Sequence, residues 1–150
     1  MSMRYLEDFT VGETRELGSV HLTEAQIVAF GREYDPQPFH VDAEAARASP
    51  FGGLIASGWQ TAALAQRLLI ENFARDAVTF GSPGVDELRF VKPVRPGDTL
   101  TLRATVIESR PSQSKPDRGL LRIRAEMVNQ AGEVVLSMIG LSFFGRRPAA

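Results

Sequence analysis

The feature that most constrains the fold is a single apolar helical segment, residues 57–73, which is followed by a half-chain with strand-like patterns. Apolar residues occupy much of the circumference of this helix, and such a pattern indicates a buried helix. The later segments 85–90, 99–106, 121–127 and 134–144 alternate between apolar and polar residues or are apolar on both faces, as strands are. Because the apolar face of a sheet must cover something, we predict an α+β fold in which an antiparallel sheet wraps around one central buried helix.

Start and stop signals ahead of this helix predict one strand and two further helices. Residues 13–21 fit a short strand. Thr23 and Gln26 have the spacing of a capping box, so a helix is expected to begin there and to end before Pro36, which cannot continue it. Asp42 is expected to be the N-cap of a second, short helix.

The composition fits one folded domain over residues 1–150, with 43% apolar residues and a net charge of −1 at pH 7. This charge argues against a nucleic-acid partner, because nucleic-acid-binding domains carry a basic stripe. The sequence has no cysteine, which removes disulfides, thiolate nucleophiles and cysteine zinc sites, and no other cluster of residues suggests a metal site. No stretch approaches the length of a membrane span, so we expect a cytoplasmic protein without a membrane partner.

The chemistry of the chain is concentrated in residues 35–40, Asp-Pro-Gln-Pro-Phe-His. Each proline fixes its own φ and pushes the residue before it toward extended conformations, so the segment is expected to be a stiff, non-helical loop. It displays Asp35 and His40, a carboxylate and an imidazole that can activate and deliver water, since one takes a proton while the other gives one. The alternative is structural: Asp35 only ends a helix, and His40 is a surface or hydrogen-bonded histidine.

A second candidate feature lies at the start of the central helix. Ser57 and Gln60 repeat the capping-box spacing. If Ser57 caps the helix, Gly58 lies in the first turn, with an unpaired N–H at the positive end of the helix dipole. A glycine there also lets a substrate approach the backbone closely.

Three local patterns together resemble one family. Residues 35–40 resemble the hydratase motif Asp-x-Asn-Pro-x-His, residues 54–59 resemble the stretch that enters the family's central helix and usually ends His-Gly-Met, and residues 89–98 resemble its strand-and-turn signature. The chain is therefore similar, over nearly its whole length, to the MaoC-like dehydratases, the (R)-specific enoyl-CoA hydratase group of the hotdog fold.

The resemblance implies reversible addition of water across the double bond of a 2-enoyl thioester. Coenzyme A, or an acyl carrier, would be part of the substrate, and no separate cofactor is implied. Asp35 would hold or deprotonate the water and His40 would be the second acid/base group, although which of them performs which transfer stays open. The backbone N–H of Gly58 would donate to the thioester carbonyl oxygen.

The resemblance also implies substrate-binding positions and a partner. Gln37 stands where the family usually has asparagine, and Gln66 stands where some hydratases have a serine in the pocket. Ser57 and Trp59 are further predicted substrate-binding residues, with a core position as the alternative for Trp59. A homodimer or a dimer-based oligomer is expected, because an edge strand of one copy can pair with a second copy.

Two other functions remain open from the sequence. A thioesterase on the same fold would release free coenzyme A from a saturated acyl thioester, and the Asp–His pair favours the hydratase over it. A non-catalytic subunit would bind an acyl thioester without turnover. Asp35 and His40 argue against this last function, whereas the departure at Gln37 leaves it open.

Overall fold

The structure, a computed structural model, describes residues 2–150 and contains one antiparallel sheet together with short and long helices. The helical elements are a 3-10 turn at Leu6–Asp8, α1 at Glu24–Tyr34, α2 at Pro38–Val41, α3 at Ala43–Arg47, and α4 at Gly58–Leu69, which continues as a π-helical turn over Ile70–Ala74. The strands are β1 at Thr14–His21, β2 at Gly84–Phe90, β3 at Thr99–Pro111, β4 at Arg118–Val128 and β5 at Val134–Gly145. No helix in this described part of the chain has both the length and the apolarity needed to cross a membrane.

The five strands form one sheet in the order β1-β3-β4-β5-β2, and every neighbouring pair is antiparallel. The period-two alternation of the sequence sets which face is buried. Ala104 of β3 lies opposite Ala125 of β4, which lies opposite Met138 of β5, and all three are at most 4% exposed. The predicted antiparallel sheet and its strands are therefore confirmed, and β1 and β2 are its two edges.

The central helix α4 packs against the inner face of this sheet, as the resemblance to hotdog proteins implies. Ala65 and Leu68 face the sheet and are buried. The opposite face is open within one chain, where Trp59 is 58% exposed and Ile70 is 47% exposed. The helix that the apolar pattern predicts to be buried is therefore buried only on the face that contacts the sheet.

Two helix starts in the first half of the chain lie where the capping signals of the sequence predict them. Thr23 and Gln26 form the predicted capping box, in which the Gln26 N–H donates to Thr23 Oγ1 at 3.2 Å and the Thr23 N–H donates to Gln26 Oε1 at 2.9 Å. Helix α1 ends at Tyr34, before Pro36. Asp42 caps α3, since its Oδ1 accepts from the N–H groups of residues 44 and 45.

Two local predictions are wrong. The segment around Pro38 is not a loop throughout, because Pro38 opens the one-turn helix α2, where its fixed φ fits and its missing N–H is not needed. Ser57 does cap α4, but Gln60 does not complete a capping box. The Gln60 Nε2 instead donates to the carbonyl oxygen of Gln26 at 3.1 Å, which ties α4 to α1.

Candidate active site

The end of α1 and the short helix α2 bring Asp35 and His40 together. The Oδ2 atom of Asp35 lies 3.3 Å from Nε2 of His40. The close approach of the two helices depends on Gly31, where an added Cβ would lie 3.0 Å from both His40 Cβ and Val41 Cγ1. The acid–base pair predicted from the sequence is thus a direct contact in the structure.

The surroundings of His40 determine which of its nitrogens can exchange a proton. His40 is only 4% exposed, and its Nδ1 lies 2.7 Å from the carbonyl oxygen of Ile55. A carbonyl oxygen only accepts, so Nδ1 carries a hydrogen and Nε2 is the atom left for chemistry. Because Nε2 faces a carboxylate oxygen, the contact is favourable when one proton is held between Nε2 and Asp35 Oδ2.

Asp35 is held by two neutral donors in addition to His40. The Gln37 Nε2 donates to Oδ1 at 2.9 Å, and the Ser57 hydroxyl donates to Oδ2 at 2.8 Å. Burial raises the pKa of Asp35, but the hydrogen bonds from Gln37 and Ser57 and the charge of His40 together lower it below its ordinary value of 3.8. The carboxylate is therefore ionised at neutral pH.

Asp35 and His40 line a cleft of about 470 Å³ at the amino-terminal end of α4. That volume lies within the range of small-molecule sites. Most of the other side chains in its walls are apolar or aromatic; they include Phe39, Phe51, Ile55, Trp59, Phe90, Val91 and Val94. A mostly apolar cleft with a few convergent polar groups suits a ligand that has an apolar body and one reactive polar centre.

Gly58 is the first residue of α4 and borders the same cleft. Among the described residues no acceptor takes its N–H, as expected for the first turn of a helix. An added Cβ at this position would lie 2.5 Å from ring carbons of Phe90. A larger residue here must displace an aromatic ring that packs on the backbone, a constraint that the sequence did not reveal.

The structure places the predicted site residues in three environments. Asp35, Gln37, His40, Gly58 and Trp59 all line the cleft. Trp59 is thus not the core residue that its alternative interpretation required.

Ser57, which the sequence predicts to bind substrate, is 0% exposed and lies behind Asp35, and it does not line the cleft. Gln66 lies farther along α4 and does not line the cleft. It lines a second cavity of about 200 Å³, together with residues of β2, β4 and β5.

Sequence reasoning missed most of the residues in the cleft walls, and Thr61 and Phe90 are two of them. Thr61 lies one helical turn after Ser57, lines the cleft and is 2% exposed. Its spacing from Gly58 on the predicted helix could have identified it. The sequence pattern predicts that Phe90 lies in a strand, but no local signal connects it with Gly58, which lies far from it in sequence.

Comparisons with known proteins agree with this fold. A family model described as a MaoC like domain matches residues 8–126. The chain is similar to the crystal structure of the MaoC-like dehydratase from Rhodospirillum rubrum, with a TM-score of 0.88, 42% identity and coverage of 97% of this chain and 99% of that one. It is 35% identical over 126 residues to the uncharacterized protein YdeM of Bacillus subtilis, which covers 83% of this chain and 87% of that protein. It is 30% identical over 112 residues to a 3-hydroxybutyryl-CoA dehydratase of Methylorubrum extorquens, which covers 74% of this chain and 69% of that protein.

Proposed function

This chain belongs to the family of MaoC-like domains, and from that premise we propose that it adds water reversibly across the double bond of a 2-enoyl thioester of coenzyme A or an acyl carrier. The observation that carries the proposal is the Asp35–His40 contact of 3.3 Å, in a cleft that Gly58 also lines. The relative named 3-hydroxybutyryl-CoA dehydratase supports a coenzyme A thioester as the substrate. We assign the product (R) stereochemistry on the family resemblance.

The proposed reaction begins with attack of water on C3 of the enoyl group. The oxygen of water forms a bond to C3, and the electron pair of the C2–C3 double bond moves toward the thioester carbonyl oxygen. The Gly58 N–H donates to that oxygen as negative charge develops on it. A single donor of this kind contributes on the order of 3 kcal/mol to transition-state stabilisation.

Proton transfer by the Asp35–His40 pair completes the reaction. The carboxylate of Asp35 accepts a proton from the attacking water, and Nε2–H of the His40 imidazolium gives a proton to C2. The proton now on Asp35 then passes to Nε2, 3.3 Å away, which restores the starting pair. One proton is taken and one is returned, so the pair is unchanged after each turnover and also serves the reverse elimination.

The test is an assay of enoyl-thioester absorbance together with free-thiol release. Wild-type protein is expected to consume the enoyl form without releasing thiol. Asp35→Asn and His40→Ala are each expected to lower kcat by at least about 100-fold while the fold survives.

Two matched controls lie outside the cleft. They are Asp42→Asn, which keeps a good N-cap for α3, and His21→Ala, which removes an exposed histidine. Both controls should keep wild-type turnover. Thiol release by the wild type would identify a thioesterase instead, and binding of an enoyl thioester with no absorbance change would identify a non-catalytic subunit.

We further propose that the partner of this chain is a second copy of itself. Strand β2 is an edge of the sheet and is largely exposed. The open face of α4 and this edge together present large apolar side chains that are about half exposed; they are Trp59, Ile70, Val85, Phe90 and Val91. Pairing of two β2 strands would join the sheets and cover this strip.

Sedimentation or light scattering of the purified chain tests this partner. The wild type is expected to have twice the mass of the 16.4 kDa chain. Val85→Asp should shift it toward the monomer, whereas Val11→Asp, a matched change at another exposed valine, should not. A monomeric wild type would refute the dimer.

A further inference from the structure

Ser57 has an unusual position for a polar residue at a helix start. It is 0% exposed, and its Oγ contacts two groups at once. The Trp59 N–H donates to Oγ at 3.3 Å, and Oγ lies 2.8 Å from Asp35 Oδ2. Because the carboxylate is ionised and can only accept, the hydroxyl hydrogen points at Asp35.

We propose that Ser57 is a positioning residue, which fixes the carboxylate of Asp35 against His40 and ties it to the first turn of α4. The proposal rests on the function proposed above, since it concerns the same acid–base pair. Ser57 itself does not reach the cleft, so it acts through Asp35 and not on the substrate.

The contacts of Asp35 explain why this serine matters. A carboxylate can rotate about its last single bond unless both oxygens are held. Gln37 holds Oδ1 from an exposed position, and Ser57 holds Oδ2 from a fully buried one. Removing the Ser57 hydroxyl leaves the exposed Gln37 as the only neutral donor to Asp35 among the described residues, and Oδ2 is then held by His40 Nε2 alone, at the longer distance of 3.3 Å.

The same contact links Asp35 to the proposed oxyanion donor. Ser57 is the N-cap of α4, and Gly58 is the first residue of that helix. One hydroxyl group therefore connects the carboxylate and the helix turn that carries the Gly58 N–H. A shift of either would change the distance between the group that activates water and the group that stabilises the thioester oxygen, and small errors in such distances lower rates strongly.

The charge environment sets the sign of the expected pH effect. Asp35 is in contact with one other titratable group among the described residues, His40 of α2. Lys92 lines the cleft as well, but it is paired with Glu133. Losing the Ser57 donor removes a contact that favours the ionised carboxylate, so the pKa of Asp35 must rise and the acid-side limb of kcat/KM must move to higher pH.

A purely structural role for Ser57 as a helix cap makes a different prediction. Loss of a cap lowers stability without changing the titration of Asp35. Two variants separate the roles, because Ser57→Ala removes both the hydroxyl and a good cap, whereas Ser57→Gly removes the hydroxyl but leaves a residue that is well tolerated at the N-cap. Thr23→Ala is the matched control, since it removes the capping hydroxyl of α1, outside the cleft.

The experiment measures two quantities for wild type, Ser57→Ala, Ser57→Gly, Ser57→Thr and Thr23→Ala. The first is kcat and KM against pH with an enoyl thioester. The second is the titration of the Asp35 carboxyl carbon by NMR, which needs no turnover and is assigned by comparison with Asp35→Asn.

The proposal predicts a coordinated change in Ser57→Ala and Ser57→Gly. In both, kcat should fall by about tenfold or more, KM should change little, and the acid limb and the Asp35 titration should both move to higher pH. Ser57→Thr should restore the wild-type titration, and Thr23→Ala should lose thermal stability with an unchanged pH profile.

An unchanged Asp35 titration in both Ser57→Ala and Ser57→Gly would overturn the proposal, whatever their stability. If the wild type hydrates no enoyl thioester, the proposed function fails, and the NMR titration still decides whether Ser57 controls Asp35. The two failures are therefore distinguishable.

Discussion

Substitution of Gly58 by alanine tests whether the packing at the start of α4 is as tight as the structure indicates. The added Cβ would lie 2.5 Å from the Phe90 ring, against about 3.5–4.0 Å for an ordinary contact between carbon atoms. The ring must therefore move by on the order of 1 Å. Overpacking of this kind costs about 1–3 kcal/mol, and alanine regains about 1 kcal/mol of helix propensity, so we expect a net loss of about 0–2 kcal/mol.

The position of Phe90 limits this cost. Its ring is 51% exposed and packs edge-on against Trp59, with 5.6 Å between the ring centroids. An exposed ring can move outward, but the movement weakens an aromatic pair that contributes about 0.5–1.5 kcal/mol. Gly58→Ala keeps the backbone N–H, so any loss of activity reports the added methyl group, through the displaced ring or through obstructed approach of the substrate, and not a lost donor.

Urea denaturation of four proteins measures the effect: wild type, Gly58→Ala, Phe90→Ala and the double variant. If the clash is the cause, Gly58→Ala should cost about 1–3 kcal/mol more with Phe90 present than once the ring is removed, a coupling that neighbouring residues typically show. Gly53→Ala is the control, because its Cβ would meet only the end of the Arg95 side chain, at 3.4 Å. Equal costs of Gly58→Ala in both backgrounds would refute the reasoning.

Two further predictions concern the Asp35–His40 pair. Gly31→Ala would place a Cβ 3.0 Å from His40 Cβ and should push α2 away from α1, so we expect kcat to fall by about tenfold or more, and kinetics that match the wild type would contradict the contact. Burial raises the pKa of Asp35, but its hydrogen bonds and the charge of His40 outweigh burial, so the pKa in the folded protein lies below the ordinary value of 3.8. The contribution of Asp35 to stability is therefore complete above pH 3.8 and is lost as the pH falls through the pKa of the folded protein. The stability difference between wild type and Asp35→Asn, measured by denaturation at a series of pH values, should therefore shrink on acidification, and a difference that stayed constant would count against the hydrogen bonds.

The elements of this fold were predictable because their signals are local. Alternation along β3 and β4 fixes which side chains face inward, and it needs no knowledge of the partner strand. The capping box of Thr23 and the N-cap of Asp42 likewise depend on atoms a few residues apart. Such contacts form within one segment, so they can be predicted without knowing what the segment packs against.

The surroundings of α4 could not be obtained in the same way. An apolar pattern around a helix shows how much surface avoids water, but not which molecule covers it. Trp59 and Ile70 are apolar and remain about half exposed in one chain. The sequence pattern is equally consistent with burial of this helix face by the same chain and with its burial by another copy. Only coordinates show that the same chain leaves it exposed.

The segment that enters α4 is anchored on both sides, which makes it a rigid part of the site. The Ile55 N–H donates to the carbonyl oxygen of Phe39 at 3.0 Å, and the Ala56 N–H donates to that of Val94 at 2.9 Å. These bonds connect it to α2 and to the loop between β2 and β3. Neither connection has a sequence signature, because the paired groups are backbone atoms far apart in the chain.

In the proposed reaction, the motif at residues 35–40 would supply the two acid–base groups and this anchored segment would orient them. The carbonyl oxygen of Ile55 fixes the hydrogen on Nδ1 of His40 and so leaves Nε2 for proton transfer. The hydroxyl of Ser57 fixes Oδ2 of Asp35, and Gly58 follows with its unpaired N–H. Under the proposed mechanism the motif supplies the groups that carry protons, whereas their orientation would depend on a second segment. A chain with an intact Asp–His motif but a displaced entry to α4 is expected to bind a thioester and to turn it over slowly.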